Sequence, residues 1–130
     1  MRLGQIVLLV RDYDEAKDWF VEKLSFSPTE DVKLSEEKRW VVVSPPGEGG
    51  ADLLLAKAKN EDEVSRIGDQ TGGRVFLFLY TNDFDRDYGA MKDKSVEFVE
   101  TPRNEEYGKV VVFKDLYGNK WDLVERQEQK

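Results

Sequence analysis

A repeat constrains this chain more than any other feature. Asp12-Tyr13-Asp14 returns 71 residues later as Asp83-Phe84-Asp85. Val41-Val42-Val43 lies opposite Val110-Val111-Val112 at an offset of 69, and Asp52-Leu53 opposite Asp122-Leu123 at 70. At the first offset Gln5 falls on Phe76. Each half then reads strand, helix, strand, strand, strand. A chain that spells one β-α-β-β-β unit twice is restricted to folds built from two like modules.

The individual segments follow from periodicity. Gln5 to Val10 is an apolar, β-rich strand, and Tyr13 to Leu24 carries Ala16, Trp19, Phe20 and Leu24 at helical spacing behind a capping aspartate. Phe26 to Leu34 and Arg39 to Ser44 read as strands, the second closed by Pro45-Pro46-Gly47-Glu48-Gly49-Gly50. Ala51 to Ala58 is a further strand. Residues 59–73 form the expected linker between modules 1–58 and 74–126 of one domain, with room for a short helix from Glu61 to Ile67. In the second half, Arg74 to Thr81 is apolar throughout, which predicts burial on both faces, with Phe76, Phe78 and Tyr80 sharing one of them. Asp83 to Lys94 reads as a helix with Tyr88 and Met91 on its buried side. Val96 to Thr101 is the next strand.

Lys109 to Glu125 completes the chain as a hairpin turning at Asp115 to Asn119. It holds an anomaly: a carboxylate, Asp122, in mid-strand among Trp121, Leu123 and Val124. Burying an unpaired carboxylate is costly, so Asp122 must face solvent, a polar partner or a ligand cavity.

Composition removes several classes of function. The 130 residues include 27 acids against 20 lysines and arginines, a net charge of −7 that is unsuited to phosphate backbones or anionic membrane surfaces. No apolar run is long enough to span a bilayer, and no secretory leader pattern opens the chain. There is no cysteine, which leaves a reducing cytoplasm as the default location. There is no histidine either, so imidazole can serve neither as base nor as metal ligand.

The paired modules resemble the vicinal oxygen chelate superfamily of glyoxalases, bleomycin-resistance proteins and ring-cleaving dioxygenases. The likeness rests on the run Ile6 to Ala16, on Trp19-Phe20 followed by Lys23-Leu24-Ser25-Phe26, on Tyr107-Gly108-Lys109, and on Asp115 to Leu123. It implies an α+β fold in which two βαβββ modules form a cup-shaped mixed sheet, with helices outside and a ligand within. It also implies a homodimer.

In metal-dependent relatives four ligands stand on the first and last strands of the modules. Here those positions carry Gln5, Asp52, Phe76 and Asp122, and a phenylalanine coordinates nothing. No metal and no cofactor is therefore assigned. The expected function is metal-independent binding of an apolar or aromatic small molecule. Gln5, Trp40, Phe76, Phe78, Tyr80, Arg103, Tyr107 and Trp121 are the candidate contacts, although rings in strands equally serve as core. The alternative is a glyoxalase-type lyase or isomerase, similar to lactoylglutathione lyase, in which Asp122 or Asp52 takes a proton beside a carbonyl and a weakly bound divalent cation assists.

Overall fold

The computed structural model describes residues 1–126, which divide into two compact units at the boundary between Ile67 and Gly68. The first unit runs β1 (Gln5–Val10), α1 (Tyr13–Leu24), β2 (Ser27–Lys33), β3 (Arg39–Ser44), β4 (Asp52–Lys57) and α2 (Glu61–Ser65). The second runs β5 (Val75–Tyr80), α3 (Phe84–Asp93), β6 (Glu97–Phe98), β7 (Arg103–Glu105), β8 (Gly108–Lys114) and β9 (Lys120–Arg126). Their sheets have matching orders, β1-β4-β3-β2 and β5-β9-β8-β6, with β7 also paired to β8. In each unit the last strand lies parallel to the first and the other pairings are antiparallel. The duplication read from the sequence is thus a duplication of topology.

Both main helices start on the repeated aspartate. The Asp12 carboxylate accepts from the Glu15 N–H at 2.8 Å, and that of Asp83 from the Arg86 N–H at 3.1 Å. Each satisfies a backbone donor that the first helical turn leaves free. α1 stops at Ser25, which adopts the left-handed conformation with φ 58°.

One face of each sheet is packed beneath its helix. In the first unit Leu8, Val10, Val41, Val43, Leu53 and Leu55 are buried together with Ala16 and Phe20 of α1. At the margin of that face Arg39 bridges Asp31 of β2 (2.7 Å) and Asp14 of α1 (3.0 Å), while Lys17 reaches Asp31 at 2.8 Å. The Tyr13 hydroxyl accepts from the Arg39 N–H at 3.3 Å. In the second unit a run of rings ties α3 to the sheet. Tyr88 meets Phe98 at 4.8 Å, Phe98 meets Phe113 at 6.3 Å, and Phe113 stacks on Trp121 at 5.8 Å. Such contacts add to the apolar burial of each ring.

Three expectations are corrected. The strand expected over Val96 to Thr101 is reduced to Glu97–Phe98. Beyond it the Glu100 side chain takes the Val112 N–H at 3.1 Å, and Pro102 has no N–H to offer, so the ladder lapses before β7, which the sequence reading did not assign. β5 is not buried on both faces, since Phe78 and Tyr80 are 57% and 61% exposed. No residue of β5 is fully buried, and Leu77 and Leu79, on the side of Trp121 and Leu123, are only partly covered. Finally, the register of β5 shifts between Val75 and Leu77, so Asp122 pairs with Phe78, whereas Asp52 pairs with Gln5. By cross-strand position, therefore, Phe78 rather than Phe76 corresponds to Gln5.

Candidate functional site

Register partners on neighbouring strands point to the same side of a sheet, and successive residues alternate. On the helix-free face of the second unit this places Arg103, Val110, Val124 and Tyr80 in one row, and Val112, Asp122 and Phe78 in the next. Phe78 and Tyr80, two residues apart on β5, stand side by side. Arg126 lies over the Tyr80 ring at 5.4 Å.

Asp122 is 6% exposed, and its Oδ1 is buried with no hydrogen-bond partner. Burial pushes its pKa up; the field of Arg103 pulls it down and that of Glu100 raises it again. Arg103 itself is held by two acids. Its Nε donates to Glu100 at 3.0 and 3.1 Å, and its Nη1 to Glu105 at 2.5 Å. The sequence reading missed both glutamates, although the spacing Glu100-x-x-Arg103-x-Glu105 is the signal that would have found them. The Arg103 guanidinium, one of the candidate contacts, is already matched by acids of its own chain.

The remaining expected contacts fall in different places. Gln5 and Asp52 are partners across the parallel β1–β4 pair, on the helix-free face of the first unit. Trp40 lies on that face too, paired with Val32, and its indole N–H donates to Glu30 at 3.4 Å. Tyr107 is half-exposed in the turn between β7 and β8. Trp121 points to the opposite face from Asp122 and is buried, with Phe76 edge-on to it at 6.3 Å.

Trp121 is fixed by an acid the sequence showed only as part of a turn. Asp115 is buried, and its Oδ1 accepts from the backbone N–H groups of Tyr117 (3.0 Å), Gly118 (3.1 Å) and Asn119 (3.0 Å). Its Oδ2 accepts from the Asn119 amide at 3.1 Å and the Trp121 indole at 3.0 Å. Burial pushes its pKa up while these donors pull it back. The turn sets where β9 begins, and so where Asp122 stands.

A resident transition metal does not fit these residues. The corresponding rows offer an amide with a carboxylate, Gln5 and Asp52, and a ring with a carboxylate, Phe78 and Asp122. Among the described residues no three His, Cys, Asp or Glu gather as a metal would require.

Two units, each a strand and helix followed by further strands of which the last closes parallel to the first, with β6 and β7 together in the place of β2, define a paired-module α+β protein. The chain belongs to the Glyoxalase/Bleomycin resistance protein/Dioxygenase superfamily, which it matches over residues 2–123. An uncharacterized protein of Shewanella frigidimarina (strain NCIMB 400) is 52% identical over 126 residues, covering 96% of this chain and 93% of that one. Among solved structures, a member of the same superfamily from Sphaerobacter thermophilus DSM 20745 is 29% identical with a TM-score of 0.80, covering 97% of this chain and 98% of its own. TnmS3, an antibiotic binding protein from Streptomyces sp. CB03234, is 25% identical with a TM-score of 0.78, covering 98% and 97%. No helix among the described residues is long and apolar enough to cross a membrane.

Proposed function

We propose that this protein binds an apolar or aromatic small molecule without a metal. The observation that carries the reading is the pair of exposed rings, Phe78 and Tyr80, beside a buried carboxylate on the sheet face turned away from Trp121 and Leu123. Large rings left in water on a strand signal a partner, and a small polar group among them is what orients one. The likeness to an antibiotic binding protein supports the same direction. On the first unit's own helix-free face, Gln5, Asp52 and Trp40 are proposed for the same kind of contact, with Tyr107 as an adjustable contact in its turn. The test is titration of the protein with 2-methoxynaphthalene, a flat aromatic without charge, followed by calorimetry. Saturable binding, weakened at least about tenfold in Phe78→Ser/Tyr80→Ser, is expected. Absence of saturable binding by this probe and by its hydroxyl and carboxylate analogues alike refutes the reading. The protein is also expected to be cytoplasmic and to run as a homodimer, which light scattering checks.

The upward shift of Asp122 favours a second reading, a glyoxalase-type lyase in which this carboxylate removes a proton beside a carbonyl. A base works best when its pKa approaches the working pH. Turnover of methylglyoxal with glutathione, lost in Asp122→Ala, would establish it.

A further inference from the structure

The hydrogen-bonding needs of this face point to the chemistry of its ligand. Among the described residues, Asp122 Oδ1 is the buried side-chain oxygen or nitrogen left without a partner. Asp115, the acid of comparable burial, has both its oxygens occupied. An ionised carboxylate is an acceptor only, so what Asp122 lacks is a donor. The described residues do not supply it. Val112 and Phe78 flank Asp122 across the sheet, Val110 and Val124 fill the row on one side, Lys114 (paired with Glu97) and Lys120 stand in the row on the other, and Arg103, whose field reaches Asp122, is turned to Glu100 and Glu105. The charges acting on Asp122, Arg103 and Glu100, oppose one another, so the site asks for a donor rather than a counter-ion.

Building on the proposed aromatic binding, we infer that the ligand is an aromatic compound carrying a neutral O–H or N–H group, which it donates to Asp122 while its ring lies against Phe78 and Tyr80. A ligand presenting only acceptors, an ether, a ketone or a carboxylate, would set lone pair against lone pair at an oxygen buried from water. A site built to pair with a donor rejects an analogue lacking one because its own buried group is then stranded.

Three probes on one ring system separate the possibilities: 2-naphthol, 2-methoxynaphthalene and 2-naphthoate, titrated calorimetrically into the wild-type chain. The expected order is naphthol tightest, the methoxy compound weaker by about ten- to a hundredfold, and naphthoate weakest. In Asp122→Leu the first two converge to within about threefold, chiefly because naphthol loses affinity. Asp122→Asn keeps the shape and one acceptor but not the charge. It narrows the gap part of the way, and decides the matter should the leucine variant fail to fold. Equal affinities for naphthol and its methyl ether, or a gap that survives in the variants, overturn the donor assignment and leave aromatic binding standing. Failure of all three probes to bind overturns aromatic binding and the donor assignment with it.

Discussion

Replacing Asp115 by asparagine, the mildest change on paper, is expected to be among the most damaging in the second unit. The reason is the sense of the five hydrogen bonds the carboxylate accepts. An asparagine oxygen can still face the three backbone donors of Tyr117, Gly118 and Asn119. Its NH₂ must then face two further donors, the Asn119 amide and the Trp121 indole, and flipping the amide worsens the conflict. Hydrogen bonds to a charged group contribute roughly 1.5–3 kcal/mol each. Losing two, less the cost of burying a charge that the variant no longer carries, gives a net loss of about 2–4 kcal/mol. For a domain of this size that lowers the melting temperature by roughly 6–16 °C. Urea unfolding followed by tryptophan fluorescence measures the loss, and the Trp121 indole N–H resonance reports the broken bond directly. A loss below about 1 kcal/mol with that resonance unmoved would refute the account of the turn.

Three further expectations rest on other residues. The carboxyl of Asp31 is pulled down to about 2 by Arg39 first and Lys17 second. Its ion pairs therefore stabilise the fold above the unfolded carboxyl value, and the benefit is lost as pH falls through the folded one; screened by solvent, it is about 1 kcal/mol. Asp31→Asn should show that loss at about pH 6, less of it in about 0.5 M salt, and almost none near pH 2, as read by urea midpoints. Asp122 has the opposite sign: its folded pKa lies above the unfolded value, so its contribution is full in acid and is lost as pH rises through the folded value. Asp122→Asn should accordingly exceed wild type in stability by about 1 kcal/mol at about pH 7, with the difference closing in acid as thermal melts are repeated down the pH scale. At Gly108, φ is 145° and an added Cβ would stand 2.0 Å from the Glu125 carbonyl oxygen and 2.9 Å from the Arg126 Cα. Gly108→Ala should cost about 3 kcal/mol or more in the same unfolding assay.

Much of the fold was legible because local chemistry and tertiary structure agree. A capping aspartate was legible before the first helix and Asp12 is that cap, and the apolar runs read as strands over Gln5 to Val10 and Arg39 to Ser44 are β1 and β3. Legibility failed where side chains take over backbone roles. Nothing in the run from Val96 to Thr101 says that the Glu100 carboxylate will capture the Val112 N–H and end a strand. Similarly, no periodicity announces the slip between Val75 and Leu77 that brings Phe78 beside Asp122. For the site, the anomaly of a mid-strand acid was visible at once. Its missing partner was not, because Arg103 would have been a reasonable guess, and only the pairing of Arg103 with Glu100 and Glu105 excludes it.

The Asp115 turn has a consequence for the order in which the second unit assembles. Every bond the Asp115 carboxylate accepts closes within six residues, so the β8–β9 ribbon can form without waiting for any distant stretch of chain, and the Gln70 N–H bond to the Asn119 Oδ1 can follow. Short closures of this kind form in microseconds, whereas the parallel β5–β9 contact must first draw a loop of some forty residues shut. During that interval β9 presents an unpaired apolar edge, Leu123 and Val124, to anything nearby. A variant that slows the docking of β5 should therefore show itself first as aggregation on refolding, before any change in the finished protein can be measured.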